Sequence, residues 1–286
     1  MQYLTLNNGV KMPILGFGVC QIPSEKTRQA VLDAIEVGYR LIDTAQMYDN
    51  ESEVGEAIRE CGVPREELFI TTKVWIGNYG YDSCKASVLE SLEKLGLDYI
   101  DLVLLHHPYS DYYGAYRALE DLYNEGLVKA IVVSNFNPER LTDICLFGRE
   151  VIPAVNQIEA NPFDAQYIAQ ANMEKNGVQM EACEPFAEGK NDIFNNDVLV
   201  RIADKNNKTS AQVMLRWLIE RSIVVLFKAS DKEMMAENID VFDFALDEED
   251  MLEIMGLDNG ESMPFNQDDS EMVECFDEMV EIRKSS

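Results

Sequence analysis

Eight short apolar or β-branched runs recur along the chain. Apart from the hairpin region at the start, the stretches between them carry apolar residues at helical spacing, and this alternation restricts the fold more than any other property of the sequence. The runs cover residues 14–19, 39–45, 68–75, 99–106, 130–135, 154–159, 178–183 and 223–228. Helical patterns fall at 24–37, 52–59, 82–95, 112–125, 138–147 and 165–175. Two more, 195–205 and 210–221, precede the last run, one beyond what simple alternation needs. After it come 232–239 and 247–255, then a tail. Short buried runs separated by helices call for parallel pairing, with the helices covering the outer face of the sheet. Ahead of them, Asn8-Gly9 lies between two alternating runs in residues 2–13, a strong local signal for a β-hairpin. No linker or repeat divides the chain, so residues 1–286 read as one domain.

An open doubly wound sheet gives a similar string, and the polar residues tip the balance. Asp43, Lys73, His106, Asn135, Gln157, Glu159 and Lys228 all stand at or just past the C-terminal ends of the runs, six of which contribute. In a closed barrel those ends converge on one face, where the chemistry of such folds lies. The expectation is an α/β fold of the (β/α)8 TIM-barrel type, whose usual length matches this chain.

Composition excludes several partners. Lys and Arg total 24 against 52 for Asp and Glu, a net charge of −28 that repels nucleic acid and anionic membranes. No run of about eighteen apolar residues suggests a membrane span, and the first residues lack the basic and apolar regions of an export signal. A cytoplasmic location is expected, with neither a membrane nor a nucleic-acid partner. The six cysteines form no CxxC pair, and the only histidines, His106 and His107, are adjacent, so no metal is expected. Tyr81-x-x-x-Lys85 imitates the pair of short-chain dehydrogenases, but no GxGxxG loop accompanies it.

Residues 38–58, GYRLIDTAQMYDNESEVGEAI, read as strand, loop and helix, with Asp43 at the strand's end and Tyr48 in the loop. The pattern IDTA-x-x-Y-x-N-E-x-x-V-G resembles the aldo-keto reductases, in particular their prokaryotic-type, diketogluconate reductase-like branch. The resemblance extends from the hairpin to about Asn238. It implies a barrel with an N-terminal β-hairpin plug and a C-terminal loop or helix extension, reducing aldehydes and ketones with NAD(P)H. It also implies the catalytic tetrad Tyr48, Lys73, Asp43 and His106, the lysine within TTKVW and the histidine within LLHHP.

The chemistry suits those residue types. A phenol with its usual pKa of about 10 is a poor donor near neutrality, and a nearby lysine cation is expected to lower it, with a carboxylate holding the lysine. His106 is expected to orient the carbonyl oxygen. Ser134, Asn135 and Gln157 match the family's clamp for the nicotinamide carboxamide, and Lys228, Glu237 and Asn238 match its contacts to the rest of the cofactor.

Four departures bear on function. Cys183 replaces the ring that stacks on the nicotinamide, implying looser orientation, another covering group, or a thiol sensitive to oxidation. Ala229 and Met234 replace a Ser and an Arg that grip the 2′-phosphate. NADP(H) therefore remains the expected cofactor, with NAD(H) possible. Cys20 and His107 replace pocket aromatics while Trp75 is kept, so the pocket should be roomier or filled by the loop around residues 263–266. His107 is expected to face away from His106, as successive strand residues do. The partner is a small carbonyl substrate, and the chain is expected as a monomer or weak homodimer. The rival reading is a low-turnover nicotinamide-binding barrel serving as a redox-responsive or partner-binding module.

Overall fold

The computed structural model describes residues 1–147, 150–229, 231–260 and 269–284. Eight strands close into a barrel: β3 (Leu15–Gly18), β4 (Leu41–Asp43), β5 (Phe69–Val74), β6 (Leu102–Leu105), β7 (Ile131–Ser134), β8 (Val155–Glu159), β9 (Gln179–Cys183) and β10 (Val224–Phe227). Neighbours pair in parallel all the way round, β10 closing on both β9 and β3. Nearly every strand residue is buried, as expected for a sheet covered on both faces.

The outer layer consists of α1 (Ser24–Val37), α2 (Glu51–Glu60), α3 (Tyr81–Leu95), α4 (Tyr112–Asn124), α5 (Pro138–Leu146), α6 (Tyr167–Asn176), α7 (Asp197–Asn206), α8 (Ser210–Glu220) and α9 (Lys232–Ile239). Gly55 sets the spacing between α2 and α3. A Cβ there would lie 2.3 Å from the Leu95 carbonyl oxygen, so only glycine permits the approach. The Tyr81 and Lys85 pair lies on this outer layer, bonded to Asp121 of α4 and to Glu125 just beyond its end, and has no part in the barrel mouth.

The hairpin strands β1 (Tyr3–Thr5) and β2 (Lys11–Pro13) pair antiparallel. Between them Leu6 and Met12 join a core cluster with Leu41, Phe69, Leu102 and Leu226 from the barrel strands. Asn7 and Asn8 staple the turn to the Pro153, Gly177 and Lys129 carbonyls. Burial of Met12 alone contributes roughly 1.5–3 kcal/mol, so the plug is a packed element.

Past β10 the chain adds α10 (Glu248–Met255) and, where the acidic composition reads as a tail, a helix α11 (Ser270–Lys284). The helix forms because Met272, Phe276, Val280 and Arg283 recur on one face, and Phe276 and Val280 are buried against the barrel. The 263–266 loop lies outside the described residues.

Candidate active site

β4 ends in Asp43, and the chain then makes a single 3-10 turn, Gln46–Tyr48, before α2. The turn is pinned on several sides. The Gln46 amide oxygen accepts from the Trp75 backbone N–H (2.9 Å) and from Asn78 Nδ2 (2.8 Å), while its nitrogen reaches the Ser87 carbonyl and the Ser91 hydroxyl. Asn50 accepts from the Thr44 hydroxyl at 2.7 Å and donates to the Val19 carbonyl. Glu51 accepts from the Thr72 hydroxyl at 2.6 Å. The N-E pair of the motif thus holds the loop that carries Tyr48.

Lys73, projecting from β5, is 1% exposed. Its ammonium is ion-paired with Asp43 and donates to the Thr44 carbonyl at 3.1 Å. The other Asp43 oxygen accepts from the Thr71 hydroxyl at 2.7 Å. A pair this buried is costly to break, about 3–5 kcal/mol when one partner is removed, because the survivor is left charged and unpaired. Lys73 Nζ lies 5.0 Å from the centroid of the Tyr48 ring, and the His106 ring stands edge-on to that ring at 6.0 Å. The structure thus brings Asp43, Tyr48, Lys73 and His106 to one place.

Two expectations change. Burial, followed by the influence of Cys20 and Asp43, pushes the Tyr48 phenol well above its ordinary value, so the lysine does not set the resting direction. Tyr48 is therefore a protonated phenol at neutral pH. His107 does not face away from His106. The chain leaves β6 after Leu105, strand alternation no longer applies, and the two imidazoles stack at 4.7 Å with 9° between their planes. Burial lowers His106 well below its usual value, with His107 and Lys73 adding to the effect, and it lowers His107 to about 3. Both rings are neutral. His106 Nδ1 is buried without a partner among the described residues, which leaves hydrogen bonding to Nε2.

Around the tetrad, Trp75 stands edge-on to His106 at 5.7 Å, and burial raises the Cys20 thiol above its ordinary value against the opposing influence of Lys73 and Tyr48. Phe276 of α11 packs on His107 at 4.2 Å and on Trp75 at 6.0 Å, filling the side where aromatics were expected to be missing. Burial and the carboxylates of Glu184, Glu159 and Glu181 hold the Cys183 thiol well above its ordinary value, which disfavours a reactive thiolate.

Ser134, Asn135 and Gln157 sit at the ends of neighbouring strands. Ser134 donates to the Gln157 carbonyl, and Asn135, in a left-handed conformation at φ 63°, donates to the His106 carbonyl at 3.1 Å. Gln157 Nε2 donates to Glu181 Oε2 at 2.8 Å. Both amide groups thus commit their NH2 to protein acceptors, and no donor among the described residues reaches their oxygens. The set fits a primary carboxamide that donates to those oxygens. Glu181 itself is buried, and burial raises its carboxyl to about 8.

The opposite side of the mouth is more open. Lys228 is exposed and donates to the Gln21 amide at 2.6 Å. Ala229 is buried, Met234 is 44% exposed and Asn238 is buried. The Glu237 carboxylate accepts from the Thr209 hydroxyl at the head of α8. No group of three or more His, Cys, Asp or Glu among the described residues is placed to hold a metal. No helix among them is long and apolar enough to cross a membrane.

The aldo/keto reductase family model matches residues 15–259. The chain belongs to this family. As an aldo-keto reductase it is an oxidoreductase that reduces carbonyl compounds with a nicotinamide cofactor. It is 43% identical over 266 residues to the glyoxal reductase of Bacillus subtilis, covering 92% of this chain and 95% of that one. It is 41% identical to the methylglyoxal reductase DkgA of Escherichia coli strain K12, covering 91% and 94% of the two chains. Among solved structures, an aldo-keto reductase from a Medee basin deep-sea metagenome library superposes with a TM-score of 0.91 at 42% identity, over 93% of this chain and 98% of that one. An aldo-keto reductase of Bombyx mori in complex with NADP does so at 0.88 and 34%, over 93% and 96%. The matched family segment ends before α11 begins.

Residues that the sequence pattern did not single out are Gln46, Glu181, Phe276 and Arg283. The first two were legible only as polar residues beside a motif. The last two lie on the apolar stripe of an otherwise acidic segment.

Proposed function

We propose that this aldo-keto reductase reduces small aldehydes and dicarbonyls, with Tyr48 as the general acid and His106 orienting the carbonyl oxygen. The observation that supports this most is the buried Lys73–Asp43 pair beside the Tyr48 ring, with a neutral His106 edge-on to the same ring. Reduced nicotinamide, when bound, supplies the hydride to the carbonyl carbon. As negative charge grows on the carbonyl oxygen, Tyr48 gives it a proton and becomes a phenolate. Lys73 offsets that charge at close range, and Asp43 keeps the lysine ionised and aimed. Neutral His106 donates from Nε2 to the same oxygen without competing for the proton. Ser134, Asn135 and Gln157 would hold the carboxamide of bound nicotinamide and so orient its ring toward the substrate.

The pocket wall favours a compact substrate. Trp75, His107 and Phe276 form a continuous aromatic surface beside His106, and the named relatives act on glyoxal and methylglyoxal. Lys228 is the one cation kept at the positions that match the family's 2′-phosphate grip, and with Glu237 and Asn238 it would hold the part of the cofactor remote from the nicotinamide. NADPH is preferred, by a narrower margin over NADH than an arginine at position 234 would give. Residues 1–286 act as one catalytic unit, in the cytoplasm, as a monomer or weak homodimer.

The test is consumption of NADPH and of NADH by the purified protein with methylglyoxal, glyoxal, benzaldehyde and a bulky aryl ketone, with Tyr48→Phe as control. Turnover of the dicarbonyls that the substitution abolishes supports the assignment. Undiminished turnover by Tyr48→Phe would remove Tyr48 from the role of acid. Phe276→Ala should raise the rate on the aryl ketone relative to methylglyoxal, and an unchanged ratio would take Phe276 out of the pocket wall.

A further inference from the structure

The C-terminal helix reaches the turn that carries the proposed acid, and no part of the mechanism above uses that contact. Arg283, near the end of α11, spreads its guanidinium over residues 46–49. Nη1 donates to the Met47 carbonyl at 3.3 Å and to Asp49 Oδ2 at 3.1 Å, and it lies 3.1 Å from the Met47 sulfur. Nη2 donates to the Gln46 carbonyl at 3.3 Å and to the second Asp49 oxygen. One side chain therefore holds the two residues before Tyr48 and the residue after it. Asp49 is a non-glycine residue at φ 54°, in the left-handed region, so the chain leaves the turn directly after Tyr48 through a backbone conformation that L residues seldom adopt, and Arg283 grips the side chain of that residue. The fork of donors on Arg283 matches the Asp49 carboxylate and adjacent carbonyls as a lysine could not.

The same helix is seated independently of Arg283. Phe276 packs on Trp75, His107 and Tyr109. Val280 sits 3.4 Å from where a Cβ on Gly77 would be, in the turn after β5. The seat of α11 is thus the aromatic wall of the pocket, and its far end grips the turn bearing Tyr48.

We propose that Arg283 is a positioning residue for Tyr48, so that α11 in place over the pocket and a correctly aimed phenol are a single state of the enzyme. The proposal rests on Tyr48 being the acid. The hydrogen bonds of Arg283 all go to Gln46, Met47 and Asp49, so its influence on the reaction passes through the turn. Its loss should lower kcat while leaving cofactor binding and the fold intact, because Gln46 and Asn50 still anchor the turn to the barrel.

The experiment compares wild type, Arg283→Ala, Arg283→Lys and Tyr48→Phe for kcat and KM on methylglyoxal, NADPH dissociation constant and thermal midpoint. Each is repeated with millimolar guanidinium chloride. The expected result is a kcat at least tenfold lower in Arg283→Ala, with the NADPH dissociation constant and thermal midpoint unchanged. Added guanidinium should restore part of that kcat and leave Tyr48→Phe unrestored. Wild-type kcat in Arg283→Ala would overturn the proposal. So would a loss of kcat that guanidinium does not restore and that tracks a lower midpoint, since that is what a merely structural arginine gives. If Arg283→Ala does not fold, Arg283→Lys decides: a reduced kcat at an unchanged midpoint supports positioning, and a wild-type kcat overturns it. Full activity in Tyr48→Phe would overturn the acid assignment on its own, whatever Arg283 does.

Discussion

The two sides of the barrel mouth are built differently. Toward the ends of β4 and β5, Asp43, Lys73 and Thr71 are interlocked by bonds that leave almost no exposed surface, and Gln46, Asn50 and Glu51 bind the intervening loop from several directions. Around the end of β10 and the start of α9, one exposed lysine leans on Gln21, and Met234, which departs from the arginine of the family pattern, is exposed. On the roles proposed above, the contrast pairs rigidity with the placing of a proton donor, and looseness with a cofactor tail whose grip adjusts affinity and tolerates substitution.

The contrast can be broken most directly on the rigid side. Tyr48→Phe should lower kcat by about 10²–10⁴-fold, the usual worth of a positioned general acid, while NADPH affinity measured by quenching of protein fluorescence stays the same. A large loss of affinity would show that the two sides are not separable. On the open side, Ala229→Ser with Met234→Arg should tighten NADPH by about tenfold, roughly 1.4 kcal/mol, with NADH affinity and kcat unaltered. An equal gain for both cofactors would mean that the arginine does not read the 2′-phosphate.

A smaller effect concerns stability. The Glu181 carboxyl, raised to about 8 in the folded protein, titrates near 4.3 when unfolded. The folded state therefore binds more protons between those values, so the contribution is full below about pH 4.3 and is lost as pH rises to about 8. Glu184, raised to about 8 by burial and by Glu159, acts in the same sense. Glu181→Gln should remove part of this slope, making urea unfolding at pH 8.5 less different from that at pH 6, by roughly 1–4 kcal/mol. A slope unchanged by the substitution would place the proton elsewhere.

The smallest expected effect is none. Both imidazoles stay neutral far below pH 6.5 and Tyr48 keeps its proton well above pH 10. kcat for reduction should therefore be level from about pH 6 to 9. A break near pH 6.5 would put charge on His106 in the working enzyme.

The sequence shows which parts of this design were legible without coordinates. Strand ends were, because a buried apolar run that stops at an ionisable or polar residue marks a barrel rim, and Asp43, Lys73 and His106 all followed that rule. The orientation of His107 was not, since alternation holds only while the chain stays in the strand and β6 ends at Leu105. The direction of the Tyr48 shift was also hidden. Residue types name the charges but not the burial, and burial outweighed the lysine. α11 was masked by its own composition, because a run of carboxylates reads as solvated even when Phe276 and Val280 recur at helical spacing within it.

Those carboxylates have a kinetic consequence. Glu271, Glu274, Asp277, Glu278 and Glu281 stand on the helix that crosses the mouth, on a chain of net charge −28. An approaching dinucleotide phosphate meets repulsion that salt screens over about 8–10 Å at ordinary ionic strengths. Added salt should therefore quicken the capture of the anionic cofactor and leave the encounter with an uncharged dicarbonyl almost untouched, the reverse of the salt effect seen where opposite charges steer a ligand in.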